Sequence, residues 1–157
     1  TRLAKPSVIR AIDGERLAQI AIGSMYLLGD GVLKDDKEAV KWFRKAAEQG
    51  YDRAQFLLGD MYDRGAGVLE DSMMAYAWFN IAGAYGHPLG RYEKSKLAKR
   101  MTKEQIAEAQ KLSRKLYDEL RARCTMKEIT QNTANPGQNV RDDGSKKGAT
   151  RGHHGPS

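Results

Sequence analysis

The chain has 157 residues, 40% of them hydrophobic and 30% charged, with a formal net charge of +7, which suits one domain with a modest core. No apolar run approaches the roughly 18 residues that a membrane helix needs. The single cysteine, Cys124, excludes a disulfide framework, and with His87, His153 and His154 it completes no zinc ligand set, so packing alone is expected to hold the fold, with no metal or cofactor. Thr1 stands first with neither an initiator methionine nor an apolar leader, as expected of a processed form whose signal peptide is gone or of an excised piece.

In residues 1–13, Pro6 at a first-turn position followed by Val8, Ile9 and Ile12 predicts a short N-terminal cap helix. From Gly14 the sequence returns on itself with a period of 36. Fifteen positions are identical between the two copies, among them Ala18/Ala54, Gln19/Gln55, Gly23/Gly59, Tyr26/Tyr62, Asp35/Asp71, Trp42/Trp78 and Phe43/Phe79. Periods of 20 to 50 residues mark arrays of one supersecondary unit, each burying its apolar face against the next. Residues 14–49 are therefore read as repeat 1, residues 50–85 as repeat 2, and Gly86 as the opening of a third copy.

Within a copy, Ala54, Leu57, Leu58, Met61 and Tyr62 recur at helical steps and form helix A; Ala75, Trp78, Phe79 and Ala82, matched by Ala39, Trp42, Phe43 and Ala46, form helix B. Glycines at 29, 31, 65 and 67 end helix A and turn the chain. Asp35 and Asp71 then stand where N-caps belong, Asp35 with Glu38 as a capping box, and Gly50 and Gly86 close each helix B. Gly23 and Gly59 lie inside helix A, where a glycine costs about 0.5–1 kcal/mol, so the bulky Trp and Phe of helix B must approach closely there. Those aromatics read as core, not as a stacking platform.

Residues 86–123 form an atypical third hairpin. Its helix A, about 88–99, carries Gly90, Arg91 and Ser95 in place of the repeat's Ala, Gln and Gly; Thr102 and Gln105 then cap a closing helix striped by Ile106, Ala109, Leu112 or Ser113, Leu116 and Leu120 as far as Arg123. Residues 124–157 have few large apolar side chains and are expected to form a polar, flexible tail.

The spaced pattern Ala54-Gln55, Leu58-Gly59, Met61-Tyr62, Gly65, Gly67-Val68, Asp71, Ala75, Trp78-Phe79, Ala82 and Gly86 resembles the Sel-one-like repeat, a longer-looped relative of the tetratricopeptide repeat, over roughly Gly14 to Gly90. The resemblance implies an all-α, right-handed α-solenoid of about two to three helix-turn-helix units with a C-terminal capping helix. It also implies a bacterial adaptor or scaffold, often exported to the periplasm or cell envelope, that binds a peptide, a helix or a subunit of a larger complex. Cysteine-rich relatives said to bind or hydrolyse β-lactams carry a disulfide in each repeat, which this chain lacks.

On helix A the side chains that the repeat does not demand are Arg16, Ile20, Ser24 and Leu27 in the first copy and Arg53, Phe56, Asp60, Asp63 and Arg64 in the second. They are the candidate partner-binding residues on a concave face, with Ile20 and Phe56, which share a register, as apolar anchors; the bland reading has that pair packing between hairpins. Charge is uneven: residues 14–86 hold eight cations against eleven acids, residues 87–123 eleven against five. Arg91, Lys94, Lys99, Arg100, Lys111, Arg114 and Lys115 are the candidates for an anionic surface, beside Lys96, Lys103, Arg121 and Arg123. The residues argue against nucleic acid, since aromatics are not interleaved with these cations beyond Tyr92 and Tyr117. Asp30, Asp35 and Asp36 lack the alternating ligands of a calcium loop, and no nucleophile-elbow, phosphate-loop or zinc-protease spacing occurs. The sequence thus points to a non-enzymatic interaction module, with an envelope enzyme or peptidoglycan-fragment binder, and an electrostatic tether through the basic hairpin, as rivals.

Overall fold

A computed structural model describes residues 16–134. Among them are six helices and no strand: α1 (Arg16–Leu28), α2 (Asp36–Glu48), α3 (Asp52–Arg64), α4 (Ser72–Ala84), α5 (Gly90–Ala98) and α6 (Lys103–Ala134). The first four are the A and B helices of two repeats, in the α-solenoid order that the period predicts. Residues 1–13, with the expected cap helix, lie outside the described residues.

The punctuation marks act as read. Asp35 Oδ1 accepts from the Glu38 N–H at 3.1 Å, and Asp71 Oδ1 from the N–H groups of Met73 and Met74 at 3.0 and 3.1 Å, each satisfying donors that the helix start leaves open. The reciprocal half of the box at Asp35 is absent. The Asp35 N–H instead donates across the loop to Tyr26 O at 2.9 Å, as Asp71 does to Tyr62 O at 3.0 Å, and Glu38 turns to Lys41 at 3.4 Å. Thr102 and Gln105 make the complete box, with reciprocal bonds of 2.9 and 3.1 Å. Gly65 ends α3 in the left-handed region at φ 66°, and Gly50 and Gly86 follow α2 and α4 with positive φ.

The interior glycines are notches for phenylalanine. A Cβ on Gly23 would stand 2.6 Å from Phe43 Cε1, and one on Gly59 2.8 Å from Phe79 Cδ1. Both rings are fully buried, so the missing methyl lets helices A and B close over them. A Cβ on Gly67 would overlap the Asp36 carbonyl; the loop of repeat 2 rests on the start of α2. Gly90, which departs from the repeat's Ala, has its own reason: a Cβ there would lie 2.7 Å from Phe79 O and 2.5 Å from Gly83 N, so α5 crosses α4 glycine against glycine.

Successive hairpins share one core. Phe43, Ala46, Ala47, Ala54, Leu58, Met61, Trp78 and Ile81 pack together, with Ile20 at one end and Leu120 at the other. Polar ties cross the seams: Arg44 Nη2 donates to Tyr62 OH at 2.6 Å, Gln49 Nε2 to Gln19 Oε1 at 3.0 Å, and Asn80 Nδ2 to Ser113 Oγ at 2.7 Å. The last places the buried face of α6 at Ala109, Ser113 and Leu120.

The end of the last helix corrects the sequence reading. α6 does not stop near Arg123 but continues to Ala134, because no Gly or Pro interrupts the chain before Pro136. Thr130 Oγ1 donates to Met126 O at 2.9 Å and Thr133 Oγ1 to Ile129 O at 2.8 Å within it. The chain divides into two units between Arg121 and Ala122; in the second, residues 122–130 are exposed along the helix. Residues 135–157, with His153 and His154, lie outside the described residues.

Candidate interaction face

Helix α1 buries Ala18, Gln19, Ile20, Ile22 and Gly23. At about 100° per residue its opposite pole is Leu17, Ala21, Ser24 and Leu28. Leu17 is 64% and Leu28 75% exposed, Ala21 is exposed and Ser24 half-buried. In α3 the buried set Ala54, Gln55, Leu58 and Gly59 repeats the pattern, and the pole holds Arg53, Leu57, Asp60 and Arg64. Asp60 Oδ2 accepts from Arg64 Nε at 2.9 Å. At the same register near α5 stand Leu89, Glu93, Lys96 and Arg100, of which Leu89, Lys96 and Arg100 are exposed.

The expected anchors need correction. Ile20 is only 5% exposed and sits in the core. Phe56 is half-buried, stacked on His87 with ring centroids 4.2 Å apart and 5.3 Å from Phe79. The reason lies one repeat ahead: His87 opens the unit after Phe56, and Tyr51, at the equivalent place 36 residues earlier, packs on the cluster that holds Ile20. Both side chains pack between hairpins. Leu27 is half-buried against the same cluster. Arg16 donates to Gln49 O at 3.5 Å with its guanidinium over the Tyr51 ring, and Asp63 accepts from Arg100 at 3.2 Å, so both tie neighbouring units together. Arg53 is exposed.

Leu17 and Leu28 were missed, together with Leu33 and Leu69, equivalent loop residues each 90% exposed. A signal for the first two exists in the sequence. Positions 17 and 28 are Leu in one copy and Arg in the other, and a site that holds arginine in one copy of a repeat faces solvent in both.

Three cations of the basic hairpin have side-chain partners. Lys94 turns inward, donating to Asn80 Oδ1 at 3.0 Å above the Tyr76 ring, Arg100 is held by Asp63, and Lys111 pairs with Glu108 at 3.2 Å. Arg91, Lys99, Arg114 and Lys115 are exposed. Asp35 is committed to its cap and Asp36 to Lys34 at 2.7 Å. Among the described residues no group of three or more His, Cys, Asp or Glu is placed to hold a metal ion, and no helix is long and apolar enough to cross a membrane.

With this geometry in hand, comparison with known proteins is direct. The Sel1 repeat model matches residues 16–51 and 52–87, the two hairpins described above. The chain is similar to the crystal structure of c5321, a protective antigen of uropathogenic Escherichia coli displaying an SLR fold, with 31% identity and a TM-score of 0.68 over 94% of this chain. It spans only 28% of that protein's length. A Sel1 repeat protein from Oxalobacter formigenes is 33% identical with a TM-score of 0.56, over 57% of this chain and 68% of that one. A search of curated proteins returns no significant match. Sel1 repeats are in general protein–protein interaction modules, and their fold is typically a non-catalytic scaffold. Two matched repeats, each with its two helices joined by a loop closed by its own aspartate, together with these neighbours make the chain a member of the Sel1-repeat family.

Proposed function

We propose that the chain is a non-catalytic adaptor that holds a protein partner on the outward poles of its first helices, α1, α3 and the α5 register, as part of a bacterial cell-envelope assembly. The observation that carries this reading is the split between inward and outward residues. Inward positions such as Ala18/Ala54, Gly23/Gly59 and Phe43/Phe79 are kept between copies, while the poles change from Leu17 and Leu28 to Arg53 and Arg64. Side chains released from packing, on a rigid stacked scaffold, are what an interaction surface is made from.

A tagged pulldown from the source cells, at low and high salt, tests it, with wild type compared with a Leu17→Arg/Leu28→Arg variant. The expected result is a discrete protein retained at high salt and lost with the variant. Recovery of lipid, nucleic acid or glycan alone, vanishing with salt, would reject the outward poles as a protein site in favour of a tether. Fractionation of the same cells addresses the envelope part: recovery in the cytoplasm alone would reject it.

A further inference from the structure

The twelve residues Leu17 to Leu28 contain no charge, whereas the equivalent Arg53 to Arg64 contain four. An uncharged helix with leucines on its outer side is one that a partner can cover there. A helix packed before α1 in the way that α2 packs before α3 would leave this pole bare. In repeat 2 the preceding helix α2 packs on α3 and still leaves Arg53 and Arg64 exposed, and Leu17 and Leu28 occupy the same places in repeat 1. The exposed positions Leu17, Ala21 and Leu28 are i, i+4 and i+11, with the half-buried Ser24 at i+7, a straight ridge about 16 Å long.

We propose that the occupant is an acidic amphipathic helix, seated with its apolar edge along Leu17, Ala21 and Leu28 and its carboxylates toward Arg53 and Arg64 of the neighbouring α3. The proposal rests on the outward poles being the binding face. The occupant is helical because α1 offers a ridge of side chains but no open strand edge, so a β-strand has nothing to pair with, and the ridge has no aromatic slots for a polyproline segment. It is acidic because the poles of α3 and the α5 register carry four cations, Arg53, Arg64, Lys96 and Arg100, against Asp60 and Glu93 at the poles and Asp63 beside Arg100. Arg64 remains 53% exposed and Arg100 62% exposed despite their ion pairs. A lipid surface fits less well, since the apolar ridge is one helix wide.

The test uses the full chain and a labelled peptide of about 18 residues with Leu at i, i+4, i+7 and i+11 and Glu along one flank. A Lys-flanked version and a scrambled version serve as comparisons. Fluorescence anisotropy reads affinity and circular dichroism reads peptide helicity. The Glu-flanked peptide is expected to bind and gain helicity, to lose about ten-fold or more in affinity to L17E/L28E, and to lose to its Lys-flanked counterpart on R53E/R64E. Equal binding of the scrambled peptide, undiminished binding by L17E/L28E, or no binding by any peptide would overturn it. A Lys-flanked peptide preferred by wild type and lost with L17E/L28E would overturn the acidic helix yet keep the face. Binding lost only on changing Lys41→Glu and Lys45→Glu, on α2, would remove both. Wild type floating with phosphatidylcholine vesicles through Leu17 and Leu28 would make the ridge a membrane contact and reject the helix. Thermal melts of each variant confirm that the fold is kept.

Discussion

Helices α1 and α3 are the same object on the inside and different objects on the outside. Both bury an Ala-Gln pair and a glycine notch, and both carry in the last turn a tyrosine whose carbonyl receives an aspartate N–H from the next loop. On the solvent pole one shows Leu17 and Leu28, the other Arg53 and Arg64. The comparison separates two demands that a single helix normally confounds: the Ala-Gln pair and the glycine that recur in these helices serve packing, while the outward residues at 17/53 and 28/64 change without disturbing it. The inside differs in its hydrogen bonding as well as in residues such as Ile20/Phe56. Gln49 donates to Gln19 Oε1 at 3.0 Å, but the corresponding residue in repeat 2 is Tyr85, and the buried Gln55 Oε1 accepts no protein hydrogen bond. Gln55 Nε2 still donates to Ala47 O at 3.1 Å, so its side chain ties two repeats with half its capacity.

If the inside is equivalent, matched core substitutions cost the same in either copy. Phe43→Ala and Phe79→Ala should each destabilise by about 3–5 kcal/mol, measured by urea unfolding; a difference between them beyond about 1 kcal/mol would show that the copies are not equivalent inside. Next come the notches. Gly23→Ala and Gly59→Ala gain helix propensity but drive a methyl into a buried ring, with a net loss of about 1–3 kcal/mol. The loss should shrink when Gly59→Ala is combined with Phe79→Leu, and strict additivity in that double-mutant cycle would refute the contact as its cause. Smaller still are the caps: Asp35→Ala and Asp71→Ala should each cost about 1 kcal/mol, read as a shift in unfolding midpoint.

Much of the fold was legible because it is local. Caps, glycine stops and helical period act within a few residues, and the Gly23–Phe43 and Gly59–Phe79 notches were foreshadowed by a glycine where helix propensity forbids one. The face was less so. Ile20 and Phe56 read as free anchors because their cover, from the start of the following unit, is 31 residues away in sequence at His87 for Phe56. Lys94 read as a surface cation until Asn80 and Ser113, on two other helices, drew it in. The run of α6 past Arg123 was missed because low apolar content argues against packing, not against a helix. The repeat itself held the better clue, in the Leu-to-Arg exchange at 17/53 and 28/64.

The most direct measurement is the unfolding free energy of Leu17→Arg/Leu28→Arg, which gives α1 the pole of α3. Leucine and arginine have similar helix propensity, and neither position is packed, so stability should stay within about 0.5 kcal/mol of wild type while partner capture is lost. A loss above about 2 kcal/mol would contradict the account, since it would mean that these leucines belong to the core and that the outward pole of repeat 1 is not a recognition surface.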